Sequence, residues 1–453
     1  MRYQRLHFIG IGGSGMAPIA KLAKELGFVV TGSDVKESAN VAILKAKGIP
    51  VDIGHHGLDF SSIDAVVVST AIPVDNPELK IAKLQSKPIL KRAEMLNLLM
   101  ERFPVRISVA GTHGKTTTSS MICSVLSQMD KKPSFVVGSP IAHLQADHFL
   151  GTSDFFVAES DESDGSFLML TPNRIVVTNI EEDHMDFFKD FKEISSYFHQ
   201  FLMKASSQKE SLFILNADDA YSRSLLDSFS SVLSFGIDHP ADYRAKEIEV
   251  GSGSLSFLVY EKNDCLGKVS LSVYGRHNVS NALAAIALCR AEGLSFSMIQ
   301  KGLALFQGTK RRFQKIGQVN GAFIYDDYGH HPTEIKATLS GIKSWFKGRL
   351  ICIFQPHRYS RTSYFLNDFS MAFSDADWVI LTDIYAAHEP EISGISSKVL
   401  QTLMNQHHGH VDYFSQYGDI PSFLKPKLKE GDIVLTLGAG DVDKVAQALV
   451  SSF

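Results

Sequence analysis

Two glycine-rich loops, each between an apolar run and a helical pattern, constrain the fold of this chain most strongly. The first loop lies in "HFIGIGGSGM", residues 7–16, and the second in "AGTHGKTTT", residues 110–118. Such a loop joins a buried strand to the N-terminus of a helix, where backbone N–H groups and the helix dipole favour an anion. Apolar runs and helical patterns alternate along almost the whole chain, which predicts α/β units with parallel sheets.

Length and composition limit the remaining possibilities. A chain of 453 residues is too long for one core, and the pattern divides into units at 1–103, 104–312 and 313–453. The net charge of −4 predicts neither a nucleic-acid surface nor a membrane patch. Four widely spaced cysteines, and no signal segment or long apolar run, predict a cytoplasmic protein with free thiols.

The second loop has the residues of a nucleotide site. It reads Gly111-x-x-Gly114-Lys115-Thr116-Thr117, in which Lys115 can reach the phosphates and the Thr116 hydroxyl can ligate Mg²⁺. The spacing between the two glycines is shorter than in the general Walker pattern. A tight turn with an incidental lysine therefore stays open as the alternative to ATP binding.

Acidic residues follow the next two predicted strands. The apolar run "FFVA" ends at Glu159, in the position of a metal-binding acid, and we expect most of the acids in the following "SDESD" to form a solvated turn. The run "RIVVTN" is followed by "IEEDHMD", in which His184 is either a second metal ligand or a structural histidine.

The first loop matches the full dinucleotide fingerprint. Gly10, Gly12 and Gly15 have its spacing, and Asp34 follows where a ribose-binding acid would lie. The physical content of the match is a diphosphate at a helix N-terminus, so an NAD or a UDP-sugar fits equally well. The two loops together predict that one holds the diphosphate of a substrate and the other holds ATP.

Nine motifs in order along the whole chain resemble the signatures of the Mur ligases. They are "HFIGIGGSGM", "AGTHGKTTTSSM", "AESDESDGSFL", "TNIEEDHMD", "GRHNVSNALAA", "GTKRRFQ", "YDDYGHHPTE", "FQPHRYSRT" and "GAGD". Within the family, these motifs are most similar to those of the alanine-adding branch. Nine motifs in register are far more specific than either glycine loop alone.

The resemblance implies three domains: a Rossmann-like domain for UDP, a central P-loop ATPase-type α/β domain with added β strands, and a C-terminal Rossmann-like domain that closes over the site. It also implies a ligase that joins L-alanine to the lactyl carboxylate of UDP-N-acetylmuramate through an acyl phosphate, with ATP and Mg²⁺, in peptidoglycan precursor synthesis. A ligase that attaches a tripeptide to the same UDP-sugar is the nearest alternative. An NAD-dependent dehydrogenase and a non-catalytic nucleotide-binding regulator remain as alternatives of other classes.

The resemblance assigns roles to particular residues. Lys115, Glu159 and His184 would be catalytic, and the metal ligands would be Thr116, Glu159 and His184. The residues implied for ATP are Gly111, Thr112, His113, Gly114, Lys115, Thr116, Thr117, His277, Asn278, Asn281, Arg312 and Asp327. Those implied for the UDP-sugar are Gly12, Gly13, Ser14, Gly15, Asp34, His55 (or the neighbouring His56), Ser69, Thr70 and Ile72. Those implied for the amino acid are Tyr328, His330, His357, Arg358 and Arg361.

Two of these assignments compete with simpler interpretations. Arg358 and Arg361 suit the alanine carboxylate because guanidinium groups bind carboxylates bidentately, although two surface salt bridges would explain them equally well without the motif. Asn278 could be a helix cap instead of a nucleotide contact.

Overall fold

Three sheets, one for each unit of the sequence pattern, form the framework of the molecule. The structure is a computed structural model that describes residues 3–56, 60–251 and 254–451. The first sheet is entirely parallel, with the strand order β3-β2-β1-β4-β5 that is typical of a nucleotide-binding half of the Rossmann fold. Its strands are β1 Arg5–Ile9, β2 Val29–Asp34, β3 Val51–Ile53, β4 Ala65–Val68 and β5 Ile89–Lys91. Its helices are α1 Met16–Glu25, α2 Ala39–Ala46, α3 Pro77–Leu84 and α4 Arg92–Met100.

The central sheet has ten strands, in the order β15-β14-β13-β12-β11-β10-β6-β9-β7-β8. It is parallel from β13 to β7 and antiparallel at both edges, where the added strands lie. Its strands are β6 Val105–Ala110, β7 Ser134–Ile141, β8 Ala146–Phe149, β9 Phe155–Glu159, β10 Arg174–Val177, β11 Leu212–Asn216, β12 Val232–Gly236, β13 Tyr243–Gly251, β14 Ser254–Glu261 and β15 Asp264–Leu271. Its helices are α5 Lys115–Leu126, α6 Phe191–Ser206, α7 Ala220–Ser224, α8 Arg276–Ala291 and α9 Phe296–Leu305.

The third sheet has six strands in the order β16-β17-β21-β18-β19-β20, of which only the β16–β17 pair is antiparallel. Its strands are β16 Gln314–Val319, β17 Ala322–Asp327, β18 Leu350–Phe354, β19 Trp378–Thr382, β20 Val411–Phe414 and β21 Ile433–Leu437. Its helices are α10 Pro332–Lys343, α11 Tyr359–Tyr364, α12 Leu366–Ser370, α13 Ser397–Met404, α14 Ile420–Leu424 and α15 Asp443–Val450. The sequence pattern did not predict β16 and β20, which are short edge strands with few buried residues.

The local signals in the sequence account for the central elements. Strands β18, β19 and β21 are buried along their whole length, as expected for parallel strands covered by helices on both faces. Helix α1 ends where Gly27 adopts a φ of +91°, a conformation that favours glycine. No helix among the described residues is long and apolar enough to cross a membrane.

The domains contact one another in two different ways. Helix α4 of the first domain joins an apolar core that continues into the central domain, where the rings of Phe103 and Phe156 lie 5.1 Å apart. The third domain contacts the central domain through polar groups, as in the hydrogen bond from Thr333 Oγ1 to Glu181 Oε2 of 2.8 Å, and through the ring of Tyr274, which stacks on Trp345. The site described next lies at this second boundary.

Candidate functional site

The second glycine loop has a backbone that only glycine adopts readily. Gly111 and Gly114 have φ values of +132° and +84°, and α5 begins directly after them at Lys115. A Cβ atom on Gly111 would lie 2.1 Å from Thr178 Oγ1, and one on Gly114 would lie 2.6 Å from Asn281 Oδ1. The loop therefore packs tightly against β10 and α8 at the N-terminus of α5.

Lys115 is held at the mouth of this loop by a buried carboxylate. Its Nζ donates to both carboxylate oxygens of Glu162 at 2.8 Å, and to the carbonyls of Gly111 at 2.6 Å and Thr112 at 3.1 Å. Burial lowers the pKa of Lys115, but the carboxylates of Glu162 and Asp161 outweigh that effect and raise the net pKa. The lysine is thus positively charged and aimed at the place where phosphates bind in such loops.

The expectation that most of the acids after β9 form a solvated turn is only partly correct. Glu162 is 2% exposed and pairs with Lys115, because the turn folds back over the glycine loop instead of extending into solvent. Asp161 and Asp164 are more exposed and face the first domain, where Asp161 lies 3.5 Å from Arg92 and Asp164 accepts a hydrogen bond from Thr70. No sequence signal separates Glu162 from its acidic neighbours, since only the tertiary fold buries it.

Thr116 and Glu159 form a second oxygen-rich point beside the loop. Thr116 Oγ1 donates to Glu159 Oε2 at 2.9 Å, and the other carboxylate oxygen accepts hydrogen bonds from Ser119 Oγ and the Gly138 amide. Burial raises the pKa of Glu159, which means that a nearby cation would stabilise the carboxylate. A Cβ on Gly138 would lie 3.0 Å from Glu159 Oε2 and 3.2 Å from Thr116 Oγ1, so the glycine leaves space beside both oxygens.

His184 lies next to the same acidic group. Its Nε2 is 3.6 Å from Glu162 Oε1 and 3.6 Å from Asp183 Oδ2. Burial lowers the pKa of His184, whereas Glu162 and Asp183 raise it by a larger amount, so the net pKa lies above its ordinary value. Lys115 and His184 therefore contact Glu162 together, one from the loop and one from the end of the β10 segment.

A cavity of about 1070 Å³ opens beside the loop, between the central and third domains. It brings together eight of the residues expected to bind ATP, namely His113, Gly114, Thr117, His277, Asn278, Asn281, Arg312 and Asp327. The other four expected residues, Gly111, Thr112, Lys115 and Thr116, lie in the adjoining loop and the first turn of α5. Asn278 also donates from Nδ2 to the Tyr274 carbonyl, so it has a local role at the start of α8 as well.

The cavity wall contains aromatic residues that the sequence did not point to. The rings of Phe313 and Tyr325 stack at 4.3 Å with an angle of 2° between their planes, and both line the cavity. Tyr274 lines it too and lies edge-on to Phe313. These rings meet only because β16 pairs with β17 and the third domain packs beside α8, so no sequence spacing reveals them.

Charged residues of the third domain face the glycine loop across this cavity. Glu334 receives a hydrogen bond from Arg312 at 3.3 Å and lies 3.3 Å from His113 Nδ1. Asp327 accepts hydrogen bonds from the amides of Phe313 and Gly329, and burial raises its pKa to about 6. The nucleotide-type loop and the third domain are therefore joined by a continuous set of polar contacts.

The two arginines expected to bind an amino acid both lie beside His184. They border a small cavity of about 10 Å³ together with Asp183 and Asp186. Arg361 donates from Nε at 3.1 Å and from Nη2 at 2.9 Å to Asp183 Oδ1, and Arg358 donates to Asp186 at 2.7 Å. The Arg361 side chain is only 6% exposed, so the interpretation as a surface salt bridge is wrong for this pair.

The remaining amino-acid candidates continue from Arg361 in a chain of contacts. Arg361 Nη1 lies 3.2 Å from His357 Nδ1, and the rings of His357 and His330 are 6.0 Å apart. Tyr328 meets His330 edge-on with ring centroids 5.4 Å apart. Burial lowers the pKa of His330 to about 4, helped by Arg361, so this imidazole is neutral at pH 7. All five candidates thus lie together on the third domain.

The first glycine loop forms a separate site within its own domain. Asp34 Oδ2 accepts a hydrogen bond from the Gly12 amide at 2.8 Å, and the exposed residues Gly13, Ser14 and Gly15 lead into α1. A Cβ on Gly10 would lie 2.8 Å from Ile72 Cδ1, which places Ile72 against the loop. Ser69 and Thr70 follow β4 at the same edge of the sheet. The expected UDP-sugar residues of this loop and of β4 are therefore neighbours.

A buried polar network lies beneath the first loop. His55 Nδ1 lies 2.8 Å from Glu78 Oε2, which also accepts a hydrogen bond from Ser33 Oγ, and His7 Nε2 lies 3.8 Å from Glu78 Oε1. The Ser33 carbonyl in turn accepts from the amide of Gly10 at 2.8 Å. Burial would raise the pKa of Glu78, but the nearby His7 and the hydrogen-bonding groups of Ser33 and His55 lower it. Glu78 was not singled out from the sequence, since nothing in "NPELK" marks a buried acid.

Comparison with known families and proteins covers the whole chain. Three family models match it in order: the Mur ligase family catalytic domain at residues 5–104, the Mur ligase middle domain at 109–289, and the Mur ligase glutamate ligase domain at 311–440. A UDP-N-acetylmuramate–L-alanine ligase of Geobacter sp. strain M21 is 43% identical over 99% of this chain and 97% of its own length. The ligase of the same name from Desulforamulus reducens is 42% identical, with coverage of 99% and 97%.

Solved structures agree in fold over the same length. The UDP-N-acetylmuramate–alanine ligase of Thermotoga maritima superposes with a TM-score of 0.82 at 27% identity, covering 98% of each chain. A murein peptide ligase from Psychrobacter arcticus superposes with a TM-score of 0.69 at 25% identity, covering 99% of this chain and 98% of its own. With three family models in register and relatives above 40% identity over nearly the full length, this chain belongs to the Mur ligase family.

Proposed function

We propose that this chain is an ATP-dependent ligase that joins L-alanine to the lactyl carboxylate of UDP-N-acetylmuramate, giving ADP and phosphate, in peptidoglycan precursor synthesis. The curated relatives with this activity in their names match over nearly the whole length. The observation that carries the proposal is the meeting of Lys115, His184 and Arg361 around one acidic group, Glu162 and Asp183, at the closure of two domains.

The division of labour between the loops follows from their surroundings. We assign ATP to the central loop and its cavity, and the UDP-sugar diphosphate to the first loop above Asp34. The domain limits that we propose are 1–103 for the UDP-sugar, 104–312 for ATP, and 313–453 for the amino acid and closure. ATP and a nucleotide-sugar are cytoplasmic metabolites, so we place the enzyme in the cytoplasm.

Thr116, Glu159 and His184 are the residues that we propose for Mg²⁺. The hydroxyl and the carboxylate are hard oxygen ligands of the kind Mg²⁺ prefers, and the space beside Gly138 suits an ion at Thr116 and Glu159. Mg²⁺ would supply charge neutralisation between the ATP phosphates and the substrate carboxylate. His184 would hold a second ion on the side of the acyl group.

The protein's own groups explain the rest of the chemistry. The lactyl carboxylate attacks the γ-phosphorus, ADP leaves, and an acyl phosphate forms; the alanine amine then displaces phosphate at the acyl carbon. Lys115 carries a permanent charge, so it stabilises the negative charge that is shared between the phosphates in the first step. For the second step, Arg358 and Arg361 hold the alanine carboxylate and must first loosen from Asp186 and Asp183.

Two alternatives explain less of the structure. The fold is less similar to a peptide-adding ligase: the murein peptide ligase of Psychrobacter arcticus superposes with a TM-score of 0.69, against 0.82 for the alanine ligase of Thermotoga maritima. An NAD-dependent dehydrogenase would use the first loop but leave Lys115, Glu159 and the third domain without a role. The first loop binds a diphosphate, and a UDP-sugar carries one as NAD does, so the loop does not require a nicotinamide.

The deciding experiment measures phosphate release with ATP, Mg²⁺ and UDP-N-acetylmuramate, adding L-alanine or the tripeptide in parallel. We expect turnover with alanine and a product that is heavier by one alanyl residue in mass spectrometry. Turnover with the tripeptide alone would show that the protein is the ligase that attaches a tripeptide to the UDP-sugar. Turnover with neither, under conditions in which ATP and the UDP-sugar bind, would contradict the proposed activity. A parallel reaction without Mg²⁺ tests the metal assignment.

A further inference from the structure

Two histidines and a glutamate converge beside the second loop from opposite sides of a domain boundary. One ring nitrogen each of His113 and His331 and a carboxylate oxygen of Glu181 all lie within 4.8 Å of one another. His113 and Glu181 belong to the central domain, whereas His331 is the N-cap of α10 in the third domain. The proposed ligase chemistry gives neither Glu181 nor His331 a role.

The arrangement leaves one nitrogen of His113 unused. Its Nδ1 lies 3.3 Å from the carboxylate of Glu334, whereas its Nε2 is buried, lies 3.8 Å from Glu181 Oε2, and has no hydrogen-bond partner among the described residues. Buried polar atoms are normally paired, so this nitrogen calls for a ligand. Metal-binding histidines typically have a carboxylate beside the ring nitrogen that does not bind the metal, as His113 Nδ1 has in Glu334.

The third residue, His331, makes two hydrogen bonds through its ring and can give up one of them to bind a metal. His331 Nε2 donates to the Glu182 carbonyl at 3.0 Å, and its Nδ1 accepts a long hydrogen bond of 3.3 Å from the Thr333 amide. A metal on this ring would replace one of these two bonds. The resulting donor set of two imidazoles and one carboxylate, of which His113 and Glu181 line the large cavity, is one that Zn²⁺ and similar transition metals prefer over Mg²⁺.

We propose that His113, Glu181 and His331 form a transition-metal site that takes Zn²⁺ or a similar ion, separate from the Mg²⁺ ligands. Metal–nitrogen bonds of about 2.1 Å would draw the three ligand atoms closer together than they now are. Because the ligands come from two domains, the ion binds only where the third domain is closed on the loop. The ion therefore acts as a clamp that holds these domains together.

The test uses Co²⁺ as a spectroscopic probe on the full chain, with millimolar Mg²⁺ present and no nucleotide or substrate. We expect one Co²⁺ per chain with a visible absorption band of a site of low coordination number, displaced by Zn²⁺. His331→Asn should weaken Co²⁺ binding at least tenfold, while asparagine keeps the cap of α10. His410→Asn removes a half-exposed histidine beside Asp412 and serves as the matched control.

A second variant protects the test against misfolding. Glu181→Gln removes a partly exposed ligand and should weaken Co²⁺ binding in the same way, with an unchanged circular dichroism spectrum. Small-angle scattering should show that Zn²⁺ shifts the wild-type chain to a more compact form and leaves His331→Asn unchanged. Equal Co²⁺ affinity in wild type and both site variants, or no visible band, would overturn the proposal. The titration needs no substrate, so such a failure is distinguishable from a failure of the ligase activity in the phosphate-release assay.

Discussion

The two glycine-rich loops begin from the same local design and end in different environments. Both follow a buried parallel strand and precede a helix. The first is completed inside its own domain, where Asp34 accepts from the Gly12 amide and Glu78 holds the network below it. The second has a lysine whose partner, Glu162, comes from a different strand connection, and it is faced by residues of the third domain.

This difference indicates what separates holding a phosphate from transferring one. A glycine turn supplies backbone N–H groups in either case, and they suffice to bind a diphosphate. Phosphoryl transfer also requires positive charge beside the phosphates and residues that a second domain brings to the site. Around the central loop, Lys115 supplies the charge and the third domain supplies residues such as Glu334. The residues around the first loop thus come from its own domain, apart from the hydrogen bond of Thr70 to Asp164, whereas those around the second loop come from two domains.

The largest expected effect separates the two loops directly. Lys115→Ala should reduce phosphate release by on the order of 10³-fold or more, because it removes the positive charge held in the glycine loop itself. Calorimetry should show UDP-N-acetylmuramate binding within threefold of wild type. The exposed Lys131→Ala is the control and should retain full turnover. A loss of UDP-sugar binding in Lys115→Ala would contradict the division of labour between the loops.

The next effect tests how far the second site depends on the third domain. Arg361→Ala removes the guanidinium partner of the buried Asp183 carboxylate, which keeps only the weaker contact with His184, and should lower the free energy of unfolding by up to about 3–5 kcal/mol in urea denaturation. Arg358→Ala removes a pair that is about one third exposed and should cost about 0–1 kcal/mol.

Both arginine variants should raise the KM for alanine far more than the KM for ATP. Equal losses of stability in the two variants would contradict the expectation that the buried Arg361–Asp183 pair contributes more than the partly exposed Arg358–Asp186 pair. Equal changes in both KM values would count against binding of the alanine carboxylate.

Acid should destabilise the same boundary. Burial lowers the pKa of His330 and of His331 to about 4, so between pH 6.5 and 4 the unfolded chain binds protons that the folded chain does not. Stability is therefore lost as pH falls through this window, by roughly 3 kcal/mol per histidine when complete. Asp327, with its pKa raised to about 6, opposes one of the two because its folded form binds a proton first.

The net decrease expected from these three groups is roughly 3 kcal/mol between pH 6.5 and 4. Urea denaturation of wild type and His331→Asn at several pH values separates the share of His331 from that of other buried histidines, such as His277 and His357, whose pKa values burial also lowers. His331→Asn should lessen the loss of stability by roughly 3 kcal/mol, and an unchanged slope in that variant would contradict the assignment to His331.

The smallest effect concerns the network below the first loop. Glu78→Gln keeps the shape of the side chain but weakens its bonds to His55 and Ser33, which should lower UDP-N-acetylmuramate affinity by up to about tenfold. ATP affinity should stay unchanged, because the network lies entirely in the first domain. Glu37→Gln, at an exposed pair with Lys45, is the control. A matching loss of ATP affinity would mean that Glu78 supports the whole fold and not this loop.

Most of the backbone could be predicted from the sequence because its signals are local. The strands that end at Glu159 and at Asp327, the helix that starts at Lys115, and the end of α1 before Gly27 all lie where periodicity and glycine placed them. The sequence pattern missed six strands, namely β3, β5, β7, β8, β16 and β20. Of these, β16 and β20 lie at edges of the third sheet and bury too little to give an apolar pattern. The motif resemblance also led to the correct family, since nine short motifs in order rarely coincide by chance.

The charge environment of the site depended on the tertiary structure. In "ESDESD", the sequence gives Glu159, Asp161 and Glu162 the same chemistry, yet folding leaves Asp161 partly exposed and buries Glu162 on Lys115. The pairing of Arg361 with Asp183 joins residues 178 positions apart, which no local spacing encodes. The sequence by itself therefore determined the strands, loops and chemical groups, because hydrophobic periodicity and backbone sterics act over a few residues. Only the tertiary structure decided which charges are buried and paired, because desolvation and Coulomb forces depend on distances that exist only once the domains have packed.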